Sequence, residues 1–316
     1  MAQACCCLWV CNMRNKNFLD VHGMVRVEDK CIFLYLDRCK IVQDELSVAA
    51  YKDSKKIIIP LAVINVLLLG PGTSITQSAM RNIVSAGCTA IWCGDNVNYI
   101  YATGMCNSDY SKNLIIQAKC YSDREKHLSI VRRMYQARYQ DTNLSKFSLE
   151  QMRGMEGKRM KAAYEKAAID NNIQWNGRVY DQDDWGNQDP VNQMLSVGNN
   201  ILYSICHAAV IAFGFSPGLG FIHNGGSRSF VFDIADLYKE RCIIPAAFKV
   251  AAEKGSDIEL MRRACRESFY ENKLMKCIAN DLSGLFTFGD ITAKTPVDVG
   301  LWDINDAVQL GKNYGK

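Results

Sequence analysis

Proline is scarce, with 6 residues in 316, and glycine contributes only 22. The chain is therefore neither a collagen-like repeat nor a Pro-rich filament. No apolar run reaches the roughly 20 residues that a membrane-crossing helix needs. The longest candidate, IIIPLAVINVLLLG (57–70), holds Pro60 and Asn65; the second, ILYSICHAAVIAFGF (201–215), holds His207. Residues 1–18 lack a basic start before the apolar run and a clear cleavage site, so they do not read as a signal peptide. No C-x-x-C pair occurs, and the 14 cysteines are scattered. That usage falls below the roughly 8–10% of a disulfide scaffold and fits a reducing cytosol. Cys5, Cys6, Cys7 and Cys11 cluster near the N-terminus without zinc-site spacing. Disorder as the main state is excluded by the 48% hydrophobic content, which is enough apolar surface to bury.

Charge of one sign is also in short supply overall, with a formal net charge of +4, but it is unevenly spread. Residues 110–178 carry fourteen Lys and Arg against seven Asp and Glu, a local excess of seven positive charges. Such a segment suits a polyanionic partner or a solvated helical surface.

Residues 19–104 read as β-rich, through the runs CIFLYL (31–36), KIIIPL (56–61), NVLLLG (65–70), TAIWC (89–93) and NYIYA (98–102). One helix interrupts them after the turn GPGT (70–73). Ser74 with Gln77 forms its expected capping box, and Gly87 closes it. Beyond residue 105 the pattern turns helical. Starts are expected at Ser122 with Glu125, Ser148 with Gln151, Asp189 before Pro190, and Ser256 with Glu259. The fold class is thus α+β: a small β-sheet domain with one helix over 1–104, a linker at 105–109, an α-helical domain over 110–282 and a tail over 283–316.

Two features carry chemistry. In the helix LEQMRGMEGKRMKAAYEKAA (149–168), Leu149, Met152, Met160, Ala163 and Ala167 form an apolar stripe that includes Glu156. A carboxylate there needs a salt bridge, a proton or a metal; Arg153 and Arg159 lie within helical reach. In LGFIHNGGSRSFVFDIADLYK (219–239) a Gly-rich loop carries His223. A helix then brings Asp233 into the stripe of Phe230 and Leu237, with Asp236 one turn on. Acids with one imidazole suit Mg²⁺ or Mn²⁺ rather than structural zinc, and open oxygen-ligand sites serve phosphoryl chemistry. Glu156 also lies inside the basic segment, which joins a metal ligand to a polyanion footprint.

The blocks LLLGPGTSIT (67–76), RGMEGKRMKAAY (153–164), IQWNGRVYDQDDW (173–185) and LGFIHNGGSRSFVFDIADLYK (219–239) resemble, in order and spacing, the CRISPR-associated integrases that install new spacers. This is the family called Cas one, and the likeness is to its type I-E subfamily in particular, over about 26–282. The resemblance implies a metal-dependent DNA nuclease and integrase, active in the prokaryotic cytoplasm. In that chemistry a prespacer 3′-OH attacks the repeat-border phosphodiester. The metal ligands implied are Glu156, His223 and Asp236, with Asp233 and Lys239 as further catalytic positions. It also implies a homodimer, formed through an N-terminal domain that contacts DNA, in a larger assembly with the Cas two protein. DNA contacts are implied at Arg81, Tyr180, Trp185, Tyr203, Arg262 and Arg266. The basic segment adds Arg132, Arg133, Arg138, Arg153, Arg159 and Arg178. Ser74, Gly226 and Arg38 depart from the residues relatives carry at or near those places. A stand-alone nuclease for branched DNA and a non-catalytic DNA-binding scaffold are the rival readings.

Overall fold

A computed structural model describes residues 31–45, 47–94, 100–104, 112–139, 144–179 and 188–287, together with 300–301 and 308–309. The N-terminal cysteine cluster, the expected linker, Tyr180 and Trp185 lie outside them.

The chain opens with two four-stranded sheets. Strands β1 (Cys31–Leu36), β5 (Ile64–Leu69), β7 (Thr89–Cys93) and β8 (Ile100–Gly104) form the first, in that order. β5 lies parallel to both β1 and β7, and β8 closes the sheet antiparallel. Every residue of β5, INVLLL, is buried, which is why it reads as a continuous apolar run rather than an alternating one. Its two faces feed two cores. Val66 and Leu68, with Phe33, Ile91 and Cys93, face the helices. Leu67 and Leu69 face the second sheet. Each such Val or Leu contributes roughly 1.5–3 kcal/mol by burial.

The second sheet runs β4 (Lys55–Ile59), β3 (Ser47–Lys52), β2 (Lys40–Asp44), β6 (Ser74–Ile75). Helix α1 (Gln77–Ser85) packs Ala79 and Ile83 into the core between the sheets. The expected Ser74–Gln77 capping box does not form. Ser74 is drawn into β6 against Lys40, and Thr76 caps the helix by accepting from the Ala79 N–H at 3.3 Å. Gly87 does end it, at φ 68°, as expected.

The helical region holds α2 (Lys112–Ser122), α3 (Arg124–Tyr139), α4 (Leu149–Asp170), α5 (Pro190–Ala212), α6 (Ser229–Asp236), a π-turn (Lys239–Ile243), α7 (Ile244–Lys254), α8 (Ile258–Glu271) and α9 (Leu274–Leu285). β9 (Gly300–Leu301) and β10 (Val308–Gln309) then pair antiparallel. Ser148 and Gln151 make both bonds of the expected capping box on α4, and Asp189 caps α5 ahead of Pro190. Two caps fall one residue later than expected. Asp123, not Ser122, accepts from the Glu125 and Lys126 N–H groups at the start of α3. Asp257, not Ser256, accepts from Leu260 at the start of α8. In both, an Asp that caps equally well stands next to the Ser.

Helix α5 is the hub, packed against α6, α7, α8, α9 and β5. Among the described residues it is the one helix long and apolar enough to cross a membrane, but 78% of that window is buried inside the fold. Its apolarity is therefore that of a core helix. The sheet is bolted to the helices at α8: Phe33 meets Phe269 edge-on at 6.4 Å between ring centroids, and the Arg262 guanidinium lies 3.7 Å from the Tyr35 ring centroid.

Candidate active site

The loop before α6 is shaped by its contacts. At Gly220 an added Cβ would stand 2.4 Å from the His223 carbonyl oxygen and 2.7 Å from the Ser229 backbone, so only glycine fits. Gln117, fully buried on α2, pins the approach. Its Nε2 donates to Ser216 O at 3.1 Å and Leu219 O at 2.9 Å, and its Oε1 accepts from the Ser216 N–H at 2.7 Å. His127 Nε2 on α3 lies 2.9 Å from Phe221 O. Neither residue is visible to sequence reading, because each bond spans about ninety or more positions of chain and leaves no local pattern.

Asp233 is fully buried and is spent on this loop. It accepts from the N–H groups of Phe221, Ile222 and His223, and from His223 Nδ1 at 2.8 Å. That last bond raises the imidazole pKa above its ordinary value; burial opposes it and the neighbouring Asp236 adds to it. It also fixes the tautomer, so that Nδ1 carries the proton and Nε2 is left unprotonated, able to act as a ligand. Nε2 stands 3.9 Å from Asp236 Oδ2. An imidazole nitrogen and a carboxylate held this way fit two vertices of a divalent-cation site.

Asp236 is also paired with Lys239, at 2.6 Å. The π-turn after α6 carries Lys239, whose Nζ lies 4.8 Å from the Tyr203 ring centroid. Burial works against the lysine charge, but Asp236 and Tyr203 outweigh it and hold its pKa above the ordinary value. Tyr203 in turn packs edge-on against Phe232, which lies edge-on to His223.

Glu156 is on the buried side of α4 as expected, but its partner is neither Arg153 nor Arg159. It forms an ion pair with Arg138 of α3 and accepts from Tyr135 Oη at 2.9 Å. Among the described residues no three His, Cys, Asp or Glu groups converge closely enough to hold an ion. The structure thus brings His223, Asp233, Asp236 and Lys239 together and leaves Glu156 turned to the arginine. Burial works against the Arg138 charge as well, and the fields of Asp236 and then Glu156 outweigh it and raise its pKa. The carboxylates of α4 and α6 therefore act on one guanidinium.

The basic residues divide. Arg81 and Arg153 are exposed, as are Lys119, Arg124, Lys146, Lys158, Lys161 and Lys166. Others expected to meet DNA are engaged within the fold. Arg133 donates to Leu285 O at 2.9 Å and Thr287 O at 2.8 Å, closing α9. Arg178 donates to Asn192 Oδ1 and Ser196 Oγ at the head of α5. Arg262 is buried against Tyr35 and paired with Glu259. Arg159 and Arg266 lie over the Tyr139 and Phe33 rings. Arg132 is half-buried. Positive charge in sequence thus overstates the positive surface, because a guanidinium also serves as a packing group.

Residues 141–259 match the family described as CRISPR associated protein Cas1. The CRISPR-associated endonuclease Cas1 2 of Thermus thermophilus is 38% identical over 298 residues, covering 92% of each protein. A solved TtCas1–DNA complex superposes with a TM-score of 0.77 at 36% identity, over 89% of this chain and all of that one. A solved Cas6-RT-Cas1–Cas2 complex shares the fold, with a TM-score of 0.55 at 16% identity, over 85% of this chain and 37% of that one.

Proposed function

This chain belongs to the CRISPR-associated Cas1 endonuclease family, and from that premise we propose that it is a metal-dependent DNA integrase of spacer acquisition, of type I-E. The observation that carries the reading is His223, oriented by buried Asp233 so that Nε2 meets Asp236 at 3.9 Å. The donor set of one imidazole and two carboxylates, with Glu156 as the third ligand, suits Mg²⁺ or Mn²⁺. Bound there, the ion would polarise a phosphodiester and stabilise the charge that develops on its oxygens.

The chain's own groups supply the rest. Asp233 keeps the proton on His223 Nδ1. Lys239 holds Asp236 in place and adds positive charge beside the reacting phosphate. The attacking prespacer 3′-oxygen forms a bond to phosphorus as the repeat-border P–O3′ bond breaks, and the proton passes through solvent to the departing 3′-oxygen. Exposed Arg81, Arg153, Lys158 and Lys161 hold DNA by its phosphates. Tyr203, beside Lys239, contacts DNA near the site, and the family resemblance assigns the same role to Tyr180 and Trp185. The working unit is a homodimer in the prokaryotic cytoplasm, joined through residues 1–104 and assembled with Cas2, while 110–282 carries catalysis.

Incubation with a short duplex and a repeat-bearing plasmid tests the reading. Glu156→Ala, His223→Ala or Asp236→Ala each abolish strand transfer while DNA binding persists, and EDTA stops the wild type. Full activity of Asp236→Ala with unchanged metal dependence would refute it.

A further inference from the structure

We propose that Arg138 is a built-in competitor for the metal: it neutralises Glu156 in the metal-free protein and must release that carboxylate for the ion to bind. This inference rests on the proposed metal site and concerns how it is loaded.

Three observations carry it. First, the Arg138 side chain is only 4% exposed, while Glu156 is 21% exposed. The cation is therefore enclosed behind its partner and is no surface phosphate contact. Second, the guanidinium is poorly served for a buried group with five donors. One Nη bonds Glu156, the other meets the Met160 sulfur at 2.8 Å, and Nε is buried without a hydrogen-bond partner among the described residues. Among the described residues Glu156 is the one carboxylate bonded to it, and a thioether is a weak acceptor. Third, Glu156 is further held by Tyr135 Oη, and the Tyr139 ring lies beside the guanidinium, its centroid 5.0 Å away. The α3 face thus presents one positive charge and one hydroxyl to the ligand carboxylate.

Arg138 and half-buried Glu156 form one enclosed pair, and removing either partner leaves the other's charge uncompensated. Metal-free protein therefore needs a cation at this place, and Arg138 supplies it. A divalent ion bringing Glu156 toward His223 and Asp236 must break that pair and then bind beside an enclosed positive charge. Both steps weaken metal affinity, and the arrangement keeps the site closed at low metal.

The test measures Mn²⁺ binding to the full chain by calorimetry, with no DNA present. Arg138→Met, which extends the apolar contact with Met160, binds Mn²⁺ about tenfold more tightly or better, and Arg138→Lys falls between it and the wild type. Glu156→Gln reports on the site itself and weakens binding. If Glu156→Gln weakens Mn²⁺ binding while Arg138→Met leaves it unchanged or weaker, the competition is overturned and the metal site stands. If Glu156→Gln changes nothing, site and competitor both fall. Should Arg138→Met not fold, the wild type still decides. The Arg138 Nε–H resonance, assigned by its loss in Arg138→Lys, shifts on Mg²⁺ addition if the pair breaks, and an unmoved resonance overturns the idea.

Discussion

Asp233 is a positioning residue whose carboxylate accepts four hydrogen bonds from one loop while fully buried. In Asp233→Asn one acceptor oxygen becomes a donor that faces N–H groups. Metal affinity is expected to fall about 10–100-fold, as for other carboxylates that orient a ligand histidine. DNA binding, which this residue does not touch, is retained. Unchanged Mn²⁺ affinity in this variant would remove Asp233 from the site. A second histidine predicts acid behaviour. His207, on α5, has a buried Nδ1 without a hydrogen-bond partner among the described residues, and burial, with Arg228 adding, lowers its pKa from 6.5 to about 4. The folded value is the depressed one. Its contribution is therefore full above pH 6.5 and is lost as pH falls toward 4, by about 3 kcal/mol. Urea titrations between those limits should show a flatter acid limb for His207→Leu, and a limb as steep as the wild type's would contradict the assignment.

Elements were legible where one local pattern decided them. β7 coincides with TAIWC, and the Ser148–Gln151 box begins α4, because strand and cap signals sit within a few residues. β2 and β3 went unread. β2 passes into β3 at Glu45, φ 52°, and β3 into β4 through Asp53–Ser54, φ 47° and 63°, a geometry usually announced by Asn-Gly or Asp-Gly. The site was legible as residue types but not as pairings. Helical spacing offers Glu156 only neighbours three or four positions away, whereas Arg138 comes from another helix. The β3–β4 hairpin also offers a surface for the proposed dimer. β4 is an edge strand, and Tyr51, Ile57 and Ile58 on β3 and β4 are 43%, 45% and 61% exposed. An exposed apolar edge is a template for pairing with a second chain. If this edge joins the proposed dimer, Ile58→Glu should shift the protein toward monomer in sedimentation velocity while the fold, read by circular dichroism, is kept. A dimer that persists would place the interface elsewhere.

At the scale of the whole molecule, the exposed positive charge of residues 110–178 follows α2, the start of α3 and the length of α4, ahead in sequence of the loop and helix that carry His223 and Asp236. Binding to duplex DNA is therefore expected to weaken steeply with salt, with a log–log slope of about −0.9 per neutralised phosphate. Lys158→Ala and Lys161→Ala should each make the slope shallower by about one such unit and weaken all sequences alike. Arg133→Ala and Arg178→Ala, by contrast, should act first on stability, because their guanidinium groups close α9 and the head of α5. A salt-independent affinity would count against a phosphate grip.

The two-faced first sheet also sets a timetable for synthesis. Its helix-facing side, Phe33, Val66, Leu68 and Ile91, is complete once β7 has left the ribosome, yet Phe269 and Arg262, which cover β1, are translated far later. At about 5–20 residues per second, that apolar face waits roughly 10–30 s for its cover. A nascent chain that stalls between β8 and α8 carries a finished sheet with an open greasy side, which is the form a chaperone would hold and an aggregate would recruit.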